Sequence, residues 1–158
     1  MNNRNKSYPL AVRIAVALVL VAVLLVGCGQ KEPSLSDGTI SEVVISAAVD
    51  ENGRPLDTTT VFADDADAFF CSFKISNFPI GSRLKATLVY VGGEAEDEVG
   101  QNYAIDVNTG TIEREGKGYS YTVFVRAPIP DYKWAKGNYK IVISIDDQEK
   151  ANGYFTVE

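Results

Sequence analysis

Gly137-Asn138-Tyr139-Lys140-Ile141-Val142-Ile143-Ser144-Ile145 places Tyr139, Ile141, Ile143 and Ile145 on alternate positions, with Lys140 and Ser144 between them. An apolar period of two puts every second side chain on one face of an extended chain, the pattern of a half-buried strand. Working outward, the period recurs in Phe69, Cys71, Phe73 and Ile75, in Leu84, Ala86, Leu88 and Tyr90, and in Tyr119, Tyr121, Val123 and Val125. These residues are expected to face inward. Phe70 and Phe124 then fall on the opposite faces, where they are either covered by loops or form an exposed apolar patch. Further strand candidates lie at residues 40–49, 58–62, 103–107 and 154–157. Turn signals separate the runs: Glu51-Asn52-Gly53, residues 77–81, Gly92-Gly93, Asn108-Thr109-Gly110, residues 116–118 and Asp146-Asp147. No helical period follows residue 27. Seven to eight short strands in about 120 residues read as an all-β antiparallel β-sandwich.

Gly137-Asn138-Tyr139-Lys140-Ile141 resembles the tyrosine corner of immunoglobulin-like domains, in which a Tyr near the start of strand F returns its hydroxyl to nearby backbone. That resemblance implies an immunoglobulin-like sandwich, with Trp134, Gly137, Tyr139 and Cys71 in structural roles. Antibody domains place a bridging cysteine two residues after the Tyr; here Ile141 stands there, and Cys71 would face it across the core as a small apolar group. The inter-sheet disulfide is therefore not expected. A wider pattern is similar to a group of uncharacterised bacterial Ig-like lipoprotein domains. It comprises Phe62 before an acidic turn, Asn77-Phe78-Pro79-Ile80-Gly81-Ser82-Arg83-Leu84, Trp134-Ala135-Lys136-Gly137 and Gly153-Tyr154-Phe155-Thr156-Val157. Leu88 stands where that group often carries a Trp.

At the other end, Leu25-Val26-Gly27-Cys28 closes an uncharged apolar run over residues 14–26, preceded by Arg4, Lys6 and Arg13 without an acid. Basic n-region and apolar h-region follow the order of an export signal. As a helix the run spans about 20 Å, short of the roughly 30 Å hydrocarbon core that a permanent anchor must cross. Leu25, Val26, Gly27 and Cys28 resemble the lipobox of bacterial lipoproteins, which implies cleavage before Cys28 and a diacylglycerol on its sulfur. Residues 1–27 are then a signal peptide, 28–36 a lipidated tether and 37–158 the sandwich domain. The expected location is extracytoplasmic, lipid-anchored to the cell membrane. In a diderm source Gly29 after the lipidated cysteine points to the outer membrane.

The whole chain has 15 Lys and Arg against 21 Asp and Glu. Removal of the three basic residues before Cys28 leaves a net charge near −9. Such a surplus repels phosphate backbones within about a Debye length, so nucleic acid is excluded as a partner. With no His in the sequence, the usual general base is missing. Gly-x-Ser-x-Gly does not occur in the domain, and its Ser-x-x-Lys spacing, Ser82-Arg83-Leu84-Lys85, runs into an alternating strand pattern in which positions i and i+3 face opposite ways. The domain is expected not to be an enzyme, and no cofactor is implied.

Acidic residues gather before the second long strand (Asp64, Asp65, Asp67), after the third (Glu94, Glu96, Asp97, Glu98) and before the Tyr139 strand (Asp131). In an immunoglobulin topology these three connections share one pole. Convergence there could hold a divalent cation, which takes six to eight oxygen ligands, or a basic partner; solvated loops are the simpler account. Trp134 and Tyr132 are open to two readings, plugs of the core or a platform for a sugar or protein. The expected function is a membrane-tethered, non-catalytic binding or adaptor module for a protein or glycan. The alternatives are a structural or inhibitory envelope lipoprotein acting on an exported protein, and a divalent-cation-binding module using the acidic loops.

Overall fold

Alternation at Tyr139 to Ile145 becomes the central strand of the larger of two sheets in the computed structural model, which describes residues 38–114 and 116–158. In chain order the strands are β1 (Thr39–Ser46), β2 (Val61–Phe62), β3 (Ala68–Ser76), β4 (Arg83–Gly93), β5 (Tyr103–Thr111), β6 (Lys117–Val125), β7 (Gly137–Ile145) and β8 (Gln148–Val157), with one short helix, α1 (Glu96–Val99). One sheet has the order β1-β3-β6 and the other β2-β8-β7-β4-β5. Every pairing is antiparallel except β2 with β8. Three strands against a sheet edged by a short parallel strand, linked in this order, make an immunoglobulin-like β-sandwich. The expected lipobox residues Leu25, Val26, Gly27 and Cys28 lie outside the described residues.

The core fills from both sheets. Phe69, Cys71, Phe73 and Phe124 come from β3 and β6, and Leu88, Tyr90, Tyr139, Ile141, Ile143 and Phe155 from the facing sheet, all of them buried. Each large apolar side chain removed from water stabilises by roughly 1.5–3 kcal/mol. Cys71 and Ile141 belong to this one cluster, both fully buried. Burial pushes the Cys71 thiol up to about 12, so it stays protonated and inert.

Four strand readings differ from the expectation. In β6 the inward face is the other one: Phe124 is buried, whereas Tyr121 and Val125 are 47% and 63% exposed. The register decides this, because directly opposed residues share a face. Phe69 pairs with Phe124 and Cys71 with Thr122, which forces Tyr119, Tyr121, Val123 and Val125 outward with Phe70. Both faces of β6 carry apolar residues, so its own pattern did not specify a parity. Second, Asn108-Thr109-Gly110 is no turn; it pairs with β4 from Leu84 to Ala86 as part of β5. Third, β8 begins at Gln148 directly after a two-residue turn in which Asp146 and Asp147 have φ of 49° and 64°. Fourth, β1 ends at Ser46 and β2 is reduced to Val61–Phe62, leaving residues 47–60 as a connection.

That connection lies on the outer face of the small sheet. A Cβ on Gly53, whose φ is +76°, would come within 2.8 Å of the Tyr121 ring, and the Arg54 guanidinium sits 5.6 Å from the Tyr119 ring centroid. Phe70 is accordingly half-buried, so the first of the two readings for its face holds there.

At one end of β7 the chain closes. The Tyr139 hydroxyl donates to the Ala135 carbonyl at 2.6 Å, and burial pushes that hydroxyl's pKa up. Gly93 and Gly137 pair across β4 and β7 so closely that a Cβ on Gly137 would sit 2.5 Å from the Gly92 carbonyl oxygen. Tyr139→Phe is expected to lower unfolding free energy by about 1–3 kcal/mol, the range for orphaning a buried polar group. Tyr121→Phe, on the outer face, should change it by less than about 0.5 kcal/mol. Urea denaturation of the two variants checks the difference.

Candidate functional site

Strand directions bring three connections to one pole. β2 ends beside Val157 at the terminus of β8, β3 starts and β6 ends at the Ala68–Val125 pair, and β4 ends and β7 starts at the Gly93–Gly137 pair. Residues 63–67, 94–102 and 126–136 therefore meet there, while β1 enters at the opposite pole, Thr39 beside Ser76.

Residues 134–136 lace these connections together. The Trp134 backbone N–H donates to the Asp64 carbonyl and its indole Nε1–H to the Ala66 carbonyl, each at 2.8 Å. The Glu94 N–H donates to the Lys136 carbonyl and the Lys136 N–H returns to Glu94 Oε1, each at 3.0 Å. Tyr90 reaches in from β4, its hydroxyl accepting the Ala95 N–H at 2.9 Å. Trp134 is 5% exposed and packs on Phe69 with ring centroids 4.6 Å apart. Of its two sequence readings, the plug is the one its geometry fits.

The acidic side chains share the pole but not a centre. Asp64 takes Lys133 Nζ on both carboxylate oxygens, at 3.0 and 2.9 Å, and Asp67 takes Arg126 at 2.9 Å. Glu94 is held by backbone, and Glu96 accepts from the Gln101 amide. Glu96, Asp97 and Glu98 fall in α1, where a loop was expected. Asp65, Asp97, Glu98 and Asp131 enter no ion pair among the described residues. No group of three or more possible metal-ligating side chains occurs among the described residues, so the convergence that a divalent cation would need, the alternative to solvated loops, does not form there. The physical reason is that cations of the chain itself, Lys133 and Arg126, already occupy the carboxylates nearest the sheet.

Beside these acids lies a cavity of about 180 Å³, lined by Tyr90, Ala95, Val99, Tyr103, Ile105, Tyr132, Trp134, Ala135 and Tyr139. Trp134, Tyr90 and Tyr139 form buried walls, whereas Tyr103, Val99 and Ile105 are 51%, 40% and 36% exposed and form the rim. Tyr132 stands edge-on to Trp134 at 5.9 Å, and Tyr90 edge-on to Tyr139 at 5.3 Å. Sequence reasoning marked Tyr132, Trp134 and Tyr139 but missed Tyr90, Val99, Tyr103 and Ile105 as neighbours. The available signal was Tyr90 at the end of its strand just before Gly92-Gly93, where side chains reach past the sheet.

No protein-family model matches this chain, and no curated protein matches it. Solved structures match in fold. An alkylpurine DNA glycosylase from Pseudomonas fluorescens is similar over 78% of this chain and 31% of its own, with a TM-score of 0.53 and 11% identity. An immunoglobulin-like protein from Pseudomonas aeruginosa is similar over 78% of this chain and 94% of its own, at a TM-score of 0.49 and 14% identity. A β-glucosidase from Listeria innocua is similar over the same 78% but only 16% of its own chain, at a TM-score of 0.48 and 6% identity. This chain thus spans less than a third of the glycosylase, and the likeness is one of fold alone.

Hydrogen bonding from Lys133 holds the Asp64 carboxyl below the usual carboxylate range, against an opposing desolvation. A carboxyl lowered in the folded state stabilises above its unfolded pKa of about 3.9 and loses that contribution as pH falls through the lower folded value. Asp64→Asn should therefore flatten the acid limb of the melting-temperature profile below about pH 4. Thermal melts of both proteins across that range check the slope.

Proposed function

We propose that this chain is an extracytoplasmic lipoprotein, held to the membrane by a diacylglycerol on Cys28, whose immunoglobulin-like domain acts by contact and not by turnover. The observation that carries the reading is the polarity of the sandwich. β1 enters at one pole, and the laced connections 63–67, 94–102 and 126–136 stand at the other. A tether of residues 28–36 preceding β1 would leave the connection-bearing pole facing away from the bilayer. A surplus of negative charge in the mature chain would further discourage the domain from lying on anionic lipid. The contacted species is then a protein or glycan of the envelope or its surroundings.

Support for the absence of turnover comes from the state of the reactive groups. The Cys71 thiol is buried and protonated, and the sequence has no His. Asp64 and Asp67 are tied to Lys133 and Arg126, which leaves no free pair of carboxylates of the kind a glycosidase needs at those positions.

Ile129 and Ile80 offer a matched test, since they are 60% and 58% exposed at opposite poles. With a photo-cross-linking residue at one or the other position, adducts with an envelope component are expected from position 129 and not from position 80. Adducts from position 80 alone would contradict the reading. In the same cells Cys28→Ser should remove the lipid mass and leave uncleaved precursor. A wild-type amino terminus that is unmodified and begins elsewhere would refute the anchor.

A further inference from the structure

We infer that the aromatic cavity at the far pole binds the methylated head of a quaternary ammonium compound such as choline. The inference rests on the reading of that pole as the contact end and adds a small-molecule class to the protein or glycan contacted there. Five aromatic side chains line the cavity, Tyr90, Tyr103, Tyr132, Trp134 and Tyr139, and its volume of about 180 Å³ has room for one such head. A cation within about 6 Å of a ring centroid is attracted by the ring quadrupole, and aromatic enclosures are the common means of holding quaternary ammonium groups.

Hydrogen bonding selects among cations. The donors of the buried walls are already spent: Trp134 Nε1–H on the Ala66 carbonyl at 2.8 Å, and the Tyr139 hydroxyl on the Ala135 carbonyl at 2.6 Å. The Tyr90 hydroxyl accepts the Ala95 N–H at 2.9 Å and donates toward the Lys136 carbonyl at 3.4 Å. An anionic group would find no free donor in these walls, and a cation with N–H protons would exchange its water for the few hydroxyl lone pairs that remain. A trimethylammonium group has no N–H to satisfy and loses little on entering.

Charge complements this choice. Glu94, Glu96, Asp97 and Glu98 bracket the lining residues Ala95 and Val99, and Asp131 precedes Tyr132. Against these five acids the same segments carry Arg126, Lys133 and Lys136, of which Arg126 and Lys133 are paired with Asp67 and Asp64 of the 63–67 connection, where Asp65 adds a further acid. The local field is therefore negative around an apolar mouth, which draws in an organic cation and repels an anion. Tyr103 stands at the rim, 51% exposed and outside the buried core.

Trp134 is the sole Trp of the sequence and lies in the wall, so its fluorescence reports on the cavity in the full chain held in detergent. At constant ionic strength choline should change Trp134 emission saturably. Ethanolamine, which keeps its N–H protons, and 3,3-dimethylbutan-1-ol, the neutral isostere, should each bind about tenfold more weakly. Phosphocholine, which carries an anion past the acidic rim, should also bind more weakly than free choline, separating a headgroup source from a free one. Tyr103→Ala should weaken choline about tenfold while leaving the melting temperature unchanged, because its ring is half exposed. The inference is overturned by any of three results: no saturable change up to about 10 mM choline, equal binding of ethanolamine or the alcohol, or unaltered binding by Tyr103→Ala. None of these outcomes touches the cross-linking from position 129, so failure of the cavity and failure of the contact pole are distinguishable.

Discussion

Residues 134–139 fix one end of this sandwich by directing side-chain donors at backbone carbonyls. Trp134 donates to Ala66, Tyr139 donates to Ala135, and the backbone of Trp134 and Lys136 joins Asp64 and Glu94. The indole N–H of Trp134 and the hydroxyl of Tyr139 are part-buried donors whose orphaning costs about 1–3 kcal/mol apiece, whereas the Lys136–Glu94 bonds lie at the exposed surface. The bonds also set geometry. With Trp134 inserted against Phe69 and Tyr139 against Phe155, the 126–136 connection cannot lift without opening the aromatic end of the core. The other two connections inherit that rigidity because they are bonded to residues 134–136 and not only to each other's neighbours. The surface at this pole is in consequence a built one, and its cavity has fixed walls of Tyr90, Trp134 and Tyr139.

Much of this was legible in the chain. The four alternating runs, the Tyr139 corner, the missing bridge at Ile141 and the shared pole of the acidic connections all follow from local pattern and topology, because strand period and turn residues act over short distances. β6 was misread because Tyr119, Tyr121, Val123 and Val125 compete with Thr122 and Phe124 for the core, and only pairing with Phe69 and Cys71 chooses between them. The extension of β5 through Asn108-Thr109-Gly110 was hidden for a related reason: an edge strand with few buried residues has little periodicity to show, and the Asn108 amide instead bridges the sheets by donating to the Val123 carbonyl at 2.8 Å. Acids alone left a cation cage open as an alternative to solvated loops, and the ion pairs with Lys133 and Arg126 that decide between them span 69 and 59 residues. Such pairs cannot be read from spacing. The cavity was invisible for the same reason, since its wall and rim come from two separate connections and three strands.

The pole bearing connections 63–67, 94–102 and 126–136 thus combines laced backbone, an apolar cavity mouth and a surplus of acidic side chains. β1 enters at the opposite end, with Thr39 beside Ser76. What the account requires above all is that the 134–139 segment opens only when the whole sandwich does. Native-state hydrogen exchange measures this directly. The indole N–H of Trp134 should exchange with the same free energy as the amides of Ile141 and Ile143 in the central strand, because both await global unfolding. Exchange of the indole N–H within the dead time, while Ile141 and Ile143 remain protected, would contradict a fixed pole.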